Sequence, residues 1–151
     1  MNPVVLRTVA RMMTPVLLLL SLVLLVRGHN APGGGFVGGL MTASALILYL
    51  IAYDVETVRR LVPVPPVGLL ALGLLVSLGS GLLPMALGKP FLTGLWTEVP
   101  APWGHHLKLG TPLLFDLGVY LVVVGATLGF ILAIEEGEED EAQEDRERGE
   151  R

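Results

Sequence analysis

Polar positions fall in clumps along this chain, and four long apolar runs lie between them. The first covers about 8–26 and contains P-V-L-L-L-L-S-L-V-L-L-V. The others cover about 35–53, 66–87 and 112–134. None shows the polar stripe that a helix resting on a soluble core carries at a 3.6-residue period. After Arg11, none contains a lysine or arginine. A bilayer core about 30 Å thick is crossed by roughly 20 apolar residues in a helix, so each run predicts a spanning helix. Helix is the default because backbone polar groups in lipid must be satisfied within the segment. A barrel would need alternating segments of about 10 residues, and these runs do not alternate. The pattern predicts an all-α integral membrane protein, with a four-helix membrane domain over 1–134 and a disordered acidic C-terminal tail over 135–151.

The connections set the orientation. Arg27 to Gly34 is a short turn rich in Gly, Pro and Asn. Asp54 to Pro65 carries Arg59 and Arg60 and ends in V-P-V-P-P, which stops a helix. Gly88 to Gly110 is the longest connection, and its Trp96 and Trp103 suit the headgroup level. With the N-terminus cytoplasmic, Arg7, Arg11, Arg59 and Arg60 lie inside, against Arg27, Lys89 and Lys108 outside. That bias favours both termini in the cytoplasm. A signal peptide is the rival reading of the first run, but no A-x-A site follows it.

Composition agrees with immersion in lipid. Among 151 residues, 52% are hydrophobic and 16% charged, against about 25% charged in a soluble domain. The tail holds ten of the fourteen acids and three arginines, so the body is net basic and the overall charge of −4 describes the tail. The tail has no apolar face to bury, which predicts disorder. No cysteine is present, which excludes disulfides, thiolate metal sites and a cysteine nucleophile.

The turn G-H-N-A-P-G-G-G-F-V-G-G (Gly28–Gly39) contains a literal G-x-G-x-x-G at Gly33, Gly35 and Gly38. A dinucleotide fingerprint must follow a strand and open a helix within a βαβ unit. This one follows a spanning helix and lacks the acid about 20 residues on in a second strand, so it is not a phosphate loop. Gly34/Gly38 and Gly35/Gly39 are instead G-x-x-x-G pairs, which let a neighbouring backbone approach closely. Gly125/Gly129 repeats the spacing, and Gly73, Ser77 and Gly81 form a small-residue ridge. Such faces serve packing within the subunit or docking to other membrane subunits, and the sequence leaves both open. Asn30 can cap the turn that follows, and Pro32 stiffens it.

Asp116 is the one acid well inside a predicted span, in T-P-L-L-F-D-L-G-V-Y-L. An ionisable residue at membrane depth is a functional candidate. It can couple ions by relaying a proton or pairing with a cation. Alternatively it is an acid near a helix start, favoured by the dipole. Asp54, Glu56, Arg59 and Arg60 read as interfacial charges, and Pro84 as a kink or helix end. His105-His106 lacks further ligands at useful spacing, so no metal site is expected. Neither a catalytic motif nor a cofactor motif appears. His105, His106 and Glu98 do not compose a lipid-modifying centre, and no basic nucleic-acid-binding patch is read.

Gly28–Leu40 together with G-T-P-L-L-F-D-L-G-V-Y-L-V-V-V-G (Gly110–Gly125) resembles the MnhB/MrpB family, the B subunit of the Mrp (Mnh) multisubunit Na⁺/H⁺ antiporter. The resemblance covers all but the acidic tail. It implies a secondary-transporter subunit, not an enzyme, in the cytoplasmic membrane. Its partners would be the other antiporter subunits and membrane lipid, with Na⁺ and H⁺ the transported ions and no cofactor. The positions carried over are Gly28, His29, Pro32, Gly33, Gly34, Gly35, Phe36, Gly38, Gly39, Pro112, Phe115, Asp116, Gly118 and Tyr120. They mark a signature for packing, with Asp116 the ion-coupling candidate. Relatives also occur in membrane-bound hydrogenases and other redox-coupled, cation-translocating complexes, which is the alternative reading.

Overall fold

Glycine and proline set where the apolar runs start and stop as helices. The computed structural model describes residues 3–28, 32–100 and 106–149. Helix α1 spans Pro3–Arg27, α2 Gly35–Ala52, α3 Val55–Leu61, α4 Pro66–Ala86 and α5 Thr111–Gly149. Proline opens α4, at the position where the missing N–H costs nothing. Gly34 caps α2 at φ 93°, a left-handed conformation that disfavours any side chain. Its N–H turns back to the Leu24 carbonyl at 3.1 Å, closing the α1–α2 hairpin.

Among the described residues, four helices are long and apolar enough to cross a membrane. They form a row rather than a closed bundle: α1 packs on α2, α2 on α5, and α5 on α4. The central position of α2 shows in its burial, half of its apolar window against 6% for the α3–α4 stretch. The core is built from Leu46 and Leu50 of α2, Val58 of α3, and Val124, Leu128 and Leu132 of α5. Outer faces of α1 and α4 remain apolar and uncovered, through residues such as Leu19, Val23, Leu75 and Leu83. In a bilayer such faces meet acyl chains or other helices at no hydrophobic cost.

The structure departs from the sequence reading in three places. The Asp54–Pro65 connection contains α3, a short helix that buries Val58 beneath α2 and α5. The long connection before α5 folds into an antiparallel hairpin of β1 (Trp96–Pro100) and β2 (His106–Gly110), with Trp96 opposite Gly110 and Glu98 opposite Lys108. The acidic tail, expected to be disordered, continues α5 as helix to Gly149. The physical reason is propagation. Glu, Ala, Gln and Arg are strong helix formers, and extending an established helix avoids the nucleation cost. The expectation of disorder weighed only the missing apolar face.

Candidate functional site

The signature residues meet where α5 crosses the start of α2. Four-residue spacing brings Asp116 and Tyr120 onto one face of α5, and the glycines of α2 lie against it. A Cβ on Gly35 would overlap the Asp116 carbonyl and lie 2.9 Å from the Tyr120 nitrogen. One on Gly39 would lie 2.8 Å from Val123 Cβ and 3.0 Å from the Tyr120 carbonyl. Gly38 faces the other way, 2.9 Å from the Ser21 carbonyl of α1 by the same measure. Gly35 and Gly39 therefore serve α5, Gly38 serves α1, and Gly34 faces the Asp116 side chain of α5.

The α4–α5 contact uses the same device. Gly73 abuts the Gly118 carbonyl at 2.6 Å from its would-be Cβ, Gly118 abuts Ser77, and Gly125 abuts the Pro66 carbonyl at 2.9 Å. Ser77 also donates to the Phe115 carbonyl at 3.3 Å. Of the two roles left open for the small-residue faces, these positions perform internal packing. Gly81 is covered by Phe91 and Leu92 of the chain leaving α4. Gly79 has no neighbour within 4 Å of its would-be Cβ.

Asp116 is the sixth residue of α5, about 8 Å along it at 1.5 Å per residue. It is half-buried. The carboxylate oxygens lie 3.2 and 3.3 Å from the position a Gly34 Cβ would take, at the N-terminus of α2. That helix has no side-chain cap, so the positive end of its dipole faces the carboxylate. Among the described residues, no donor is hydrogen-bonded or ion-paired to it. It lines a cavity of about 350 Å³ with Gly28, Ser80, Leu92, Thr111, Pro112 and Phe115. Both readings of Asp116 thus find support: it is near a helix start, and it faces a polar cavity with no partner among the described residues.

Tyr120 belongs to a chain of hydroxyls absent from the sequence reading. Ser21 of α1 donates to the Leu18 carbonyl at 2.9 Å. Thr42 of α2 donates to Ser21 at 2.7 Å. Tyr120 of α5 lies 2.7 Å from the Thr42 hydroxyl. Each hydroxyl carries one proton, and that of Thr42 is already used, so Tyr120 is the donor to Thr42. Three helices are thereby joined by one directional chain, with Ser21 fully buried and Thr42 7% exposed. Hydroxyl residues scattered within the apolar runs were the available signal.

Other signature residues point elsewhere. Phe36 is 57% exposed on the outer surface of α2, and Pro32 is exposed in the turn. Gly33 approaches the Leu24 carbonyl, 2.8 Å from its would-be Cβ. His29 and Asn30 lie outside the described residues, as do Trp103 and His105. Among the described residues, no three metal-ligating side chains gather.

The opposite membrane face carries the basic belt. Arg7 donates from Nε to the Ala52 carbonyl at 3.2 Å, supplying α2 with the cation its own last turn lacks. Its guanidinium lies 5.6 Å from the Tyr53 ring centroid, and Tyr53 stacks on Tyr49 at 4.4 Å. Asp54 caps α3, accepting from the Thr57 N–H at 2.6 Å. Hydrogen bonding from Thr57, with smaller help from Arg60 and Arg7, holds its carboxyl below the usual aspartate range. A depressed acid supports the fold above its unfolded pKa and loses that support as pH falls through the folded value. Asp54→Ala should therefore speed amide exchange at Thr57 and Val58 at neutral pH. Wild-type protection should persist until the pH falls below the ordinary carboxylate range. Hydrogen exchange followed by mass spectrometry checks both.

A row of long apolar helices, with buried hydroxyls at their shared faces, defines a multi-pass membrane protein. The chain belongs to the MnhB family: residues 5–129 match the family model described as a domain related to the MnhB subunit of Na⁺/H⁺ antiporter. It is 45% identical over 139 residues to the Na⁺/H⁺ antiporter B subunit of Bacillus subtilis, covering 92% of this chain and 96% of that one. It is 42% identical over 135 residues to the corresponding antiporter subunit of Alkalihalophilus pseudofirmus, covering 89% and 94%. Among solved structures, it resembles a chain of the Mrp complex from Dietzia sp., with TM-score 0.70 and 38% identity. That likeness covers 85% of this chain but 13% of the longer solved one.

Proposed function

We propose that this chain is the B subunit of an Mrp-type Na⁺/H⁺ antiporter in the cytoplasmic membrane, held among the other subunits, with both termini in the cytoplasm. The observation that carries this is the 45% identity to an antiporter B subunit across 92% of the chain. The uncovered apolar faces of α1 and α4 supply surfaces for companion helices. Orientation follows from Arg7, Arg11, Arg59 and Arg60 on one side. The relatives named above are antiporter subunits, which favours antiport over a redox-coupled complex.

In this reading Asp116 couples ions, and the dense glycine contacts hold α2 and α5 in place around it. The test is deletion of the subunit, followed by growth at high sodium and alkaline pH and by recovery of the remaining subunits. Loss of sodium tolerance is expected; unchanged tolerance would overturn the assignment. Asp116→Asn keeps the shape of the side chain and removes its charge. Assembly should survive, while Na⁺-dependent proton exchange in vesicles should fall by about tenfold or more, the scale of a lost charge-assisted interaction. Normal exchange by an assembled variant would remove Asp116 from ion coupling.

A further inference from the structure

We infer that the cavity beside Asp116 binds a hydrated monovalent cation, with the Ser80 carbonyl and hydroxyl as ligands beside the Asp116 carboxylate. The inference rests on the antiporter reading and adds a site to it. Three observations converge. First, Pro84 lies inside α4 and has no N–H, so the Ser80 carbonyl lacks its regular helical donor. Among the described residues, no donor from outside the helix replaces it, since the returning Leu92 N–H goes to Gly81 at 3.1 Å instead. A backbone carbonyl without its helical donor is the kind of group that ligates Na⁺ at membrane depth.

Second, Ser80 is 4% exposed, yet it lines the cavity. Its hydroxyl donates to the Ser77 carbonyl at 2.7 Å, so the proton is occupied and the oxygen lone pairs remain. Third, the Asp116 carboxylate has no protein donor among the described residues. Among the described residues lining the cavity, every strong side-chain group is thus an acceptor, apart from the hydroxyl proton of Thr111. Thr111 Oγ1 itself accepts from the Leu95 N–H at 3.1 Å.

No arginine, lysine or second titratable group lines the cavity among the described residues, whether from the end of α1, from α4, from the segment after it or from α5. From α2 the neighbour is Gly34, where the helix dipole presents its positive end. About 350 Å³ leaves room for waters, each taking about 30 Å³ in the liquid, to complete the coordination shell.

The test uses the whole complex in nanodiscs, with Na⁺ as the probe and K⁺ as the reference. Difference infrared spectroscopy reads the carboxylate stretching bands as Na⁺ is titrated. Wild type should show a saturable, Na⁺-dependent shift of those bands that K⁺ does not reproduce. Asp116→Asn should abolish it. Pro84→Ala returns an N–H to the Ser80 carbonyl and should raise the half-saturating Na⁺ concentration by about threefold or more, since one ligand is lost. Ser80→Ala, which keeps the carbonyl, should have a smaller effect. Unchanged Na⁺ titrations in Pro84→Ala and Ser80→Ala would overturn the site, as would a carboxyl signal that persists in Asp116→Asn. If wild-type complex shows no Na⁺-dependent proton exchange at all, the antiporter reading itself fails, which is a distinguishable outcome.

Discussion

Replacing Gly35 with alanine is expected to abolish incorporation of the subunit into its complex. The added methyl would occupy the position of the Asp116 carbonyl and crowd the Tyr120 nitrogen. Both are backbone atoms of a helix, so no rotamer change relieves the clash, and α2 must move away from α5. Ordinary overpacking costs about 1–3 kcal/mol; a backbone-on-backbone clash belongs to the exceptional range above about 4 kcal/mol. Gly39→Ala should be milder, because its closest neighbour is the Val123 side chain at 2.8 Å. Gly79→Ala is the control: open space surrounds that position, and alanine improves helix propensity by about 1 kcal/mol. Recovery of subunit with affinity-tagged complex, together with thermal unfolding in detergent, ranks the three. Wild-type recovery for Gly35→Ala would mean that α2 and α5 do not meet backbone to backbone.

The parts of this arrangement that were legible in the sequence are those governed by local pattern. Runs of roughly 20 apolar residues identified the spanning helices, and the prolines before Val67 marked the start of α4. Glycine spacing disclosed the packing faces, because four-residue separation fixes a shared side of a helix. It did not disclose which neighbour each face meets. That Gly35/Gly39 touch α5 while Gly38 touches α1 depends on the order of helices in the row, which one chain's pattern does not encode. Asp116 stood out by being charged in an apolar run. Ser80 did not, because its role depends on Pro84 four residues later and on the cavity it borders. The hairpin and α3 escaped for another reason: each is short, and its stability comes from what lies beside it, as with Val58 under α2 and α5. The tail shows the converse error, since composition alone omitted the helix it extends.

Thr42→Val should be the most costly single change in the hydroxyl chain. Valine nearly matches threonine in shape, so packing survives while two 2.7 Å hydrogen bonds are lost. The consequences at the two ends differ. Ser21, fully buried, keeps its bond to Leu18 but loses the donor to its oxygen. Tyr120 keeps a proton with no acceptor; a buried donor left unpaired costs about 1–3 kcal/mol, and this half-buried one belongs to the lower part of that range. Tyr120→Phe removes that donor outright and leaves the Thr42–Ser21 bond intact, so about 1 kcal/mol is expected. Ser21→Ala should cost about as much as Tyr120→Phe, because it likewise removes one bond of the chain and leaves the Tyr120–Thr42 bond intact. Single interhelical hydrogen bonds in membranes average only about 0.6 kcal/mol, which makes the ordering more informative than any one value. A double-mutant cycle between Thr42→Val and Tyr120→Phe should be strongly non-additive, the second change relieving the orphaned donor left by the first. Thermal unfolding of the complex in lipid measures it. Additive losses would show that Tyr120 does not donate to Thr42, and the directional chain joining α1, α2 and α5 would be lost with it.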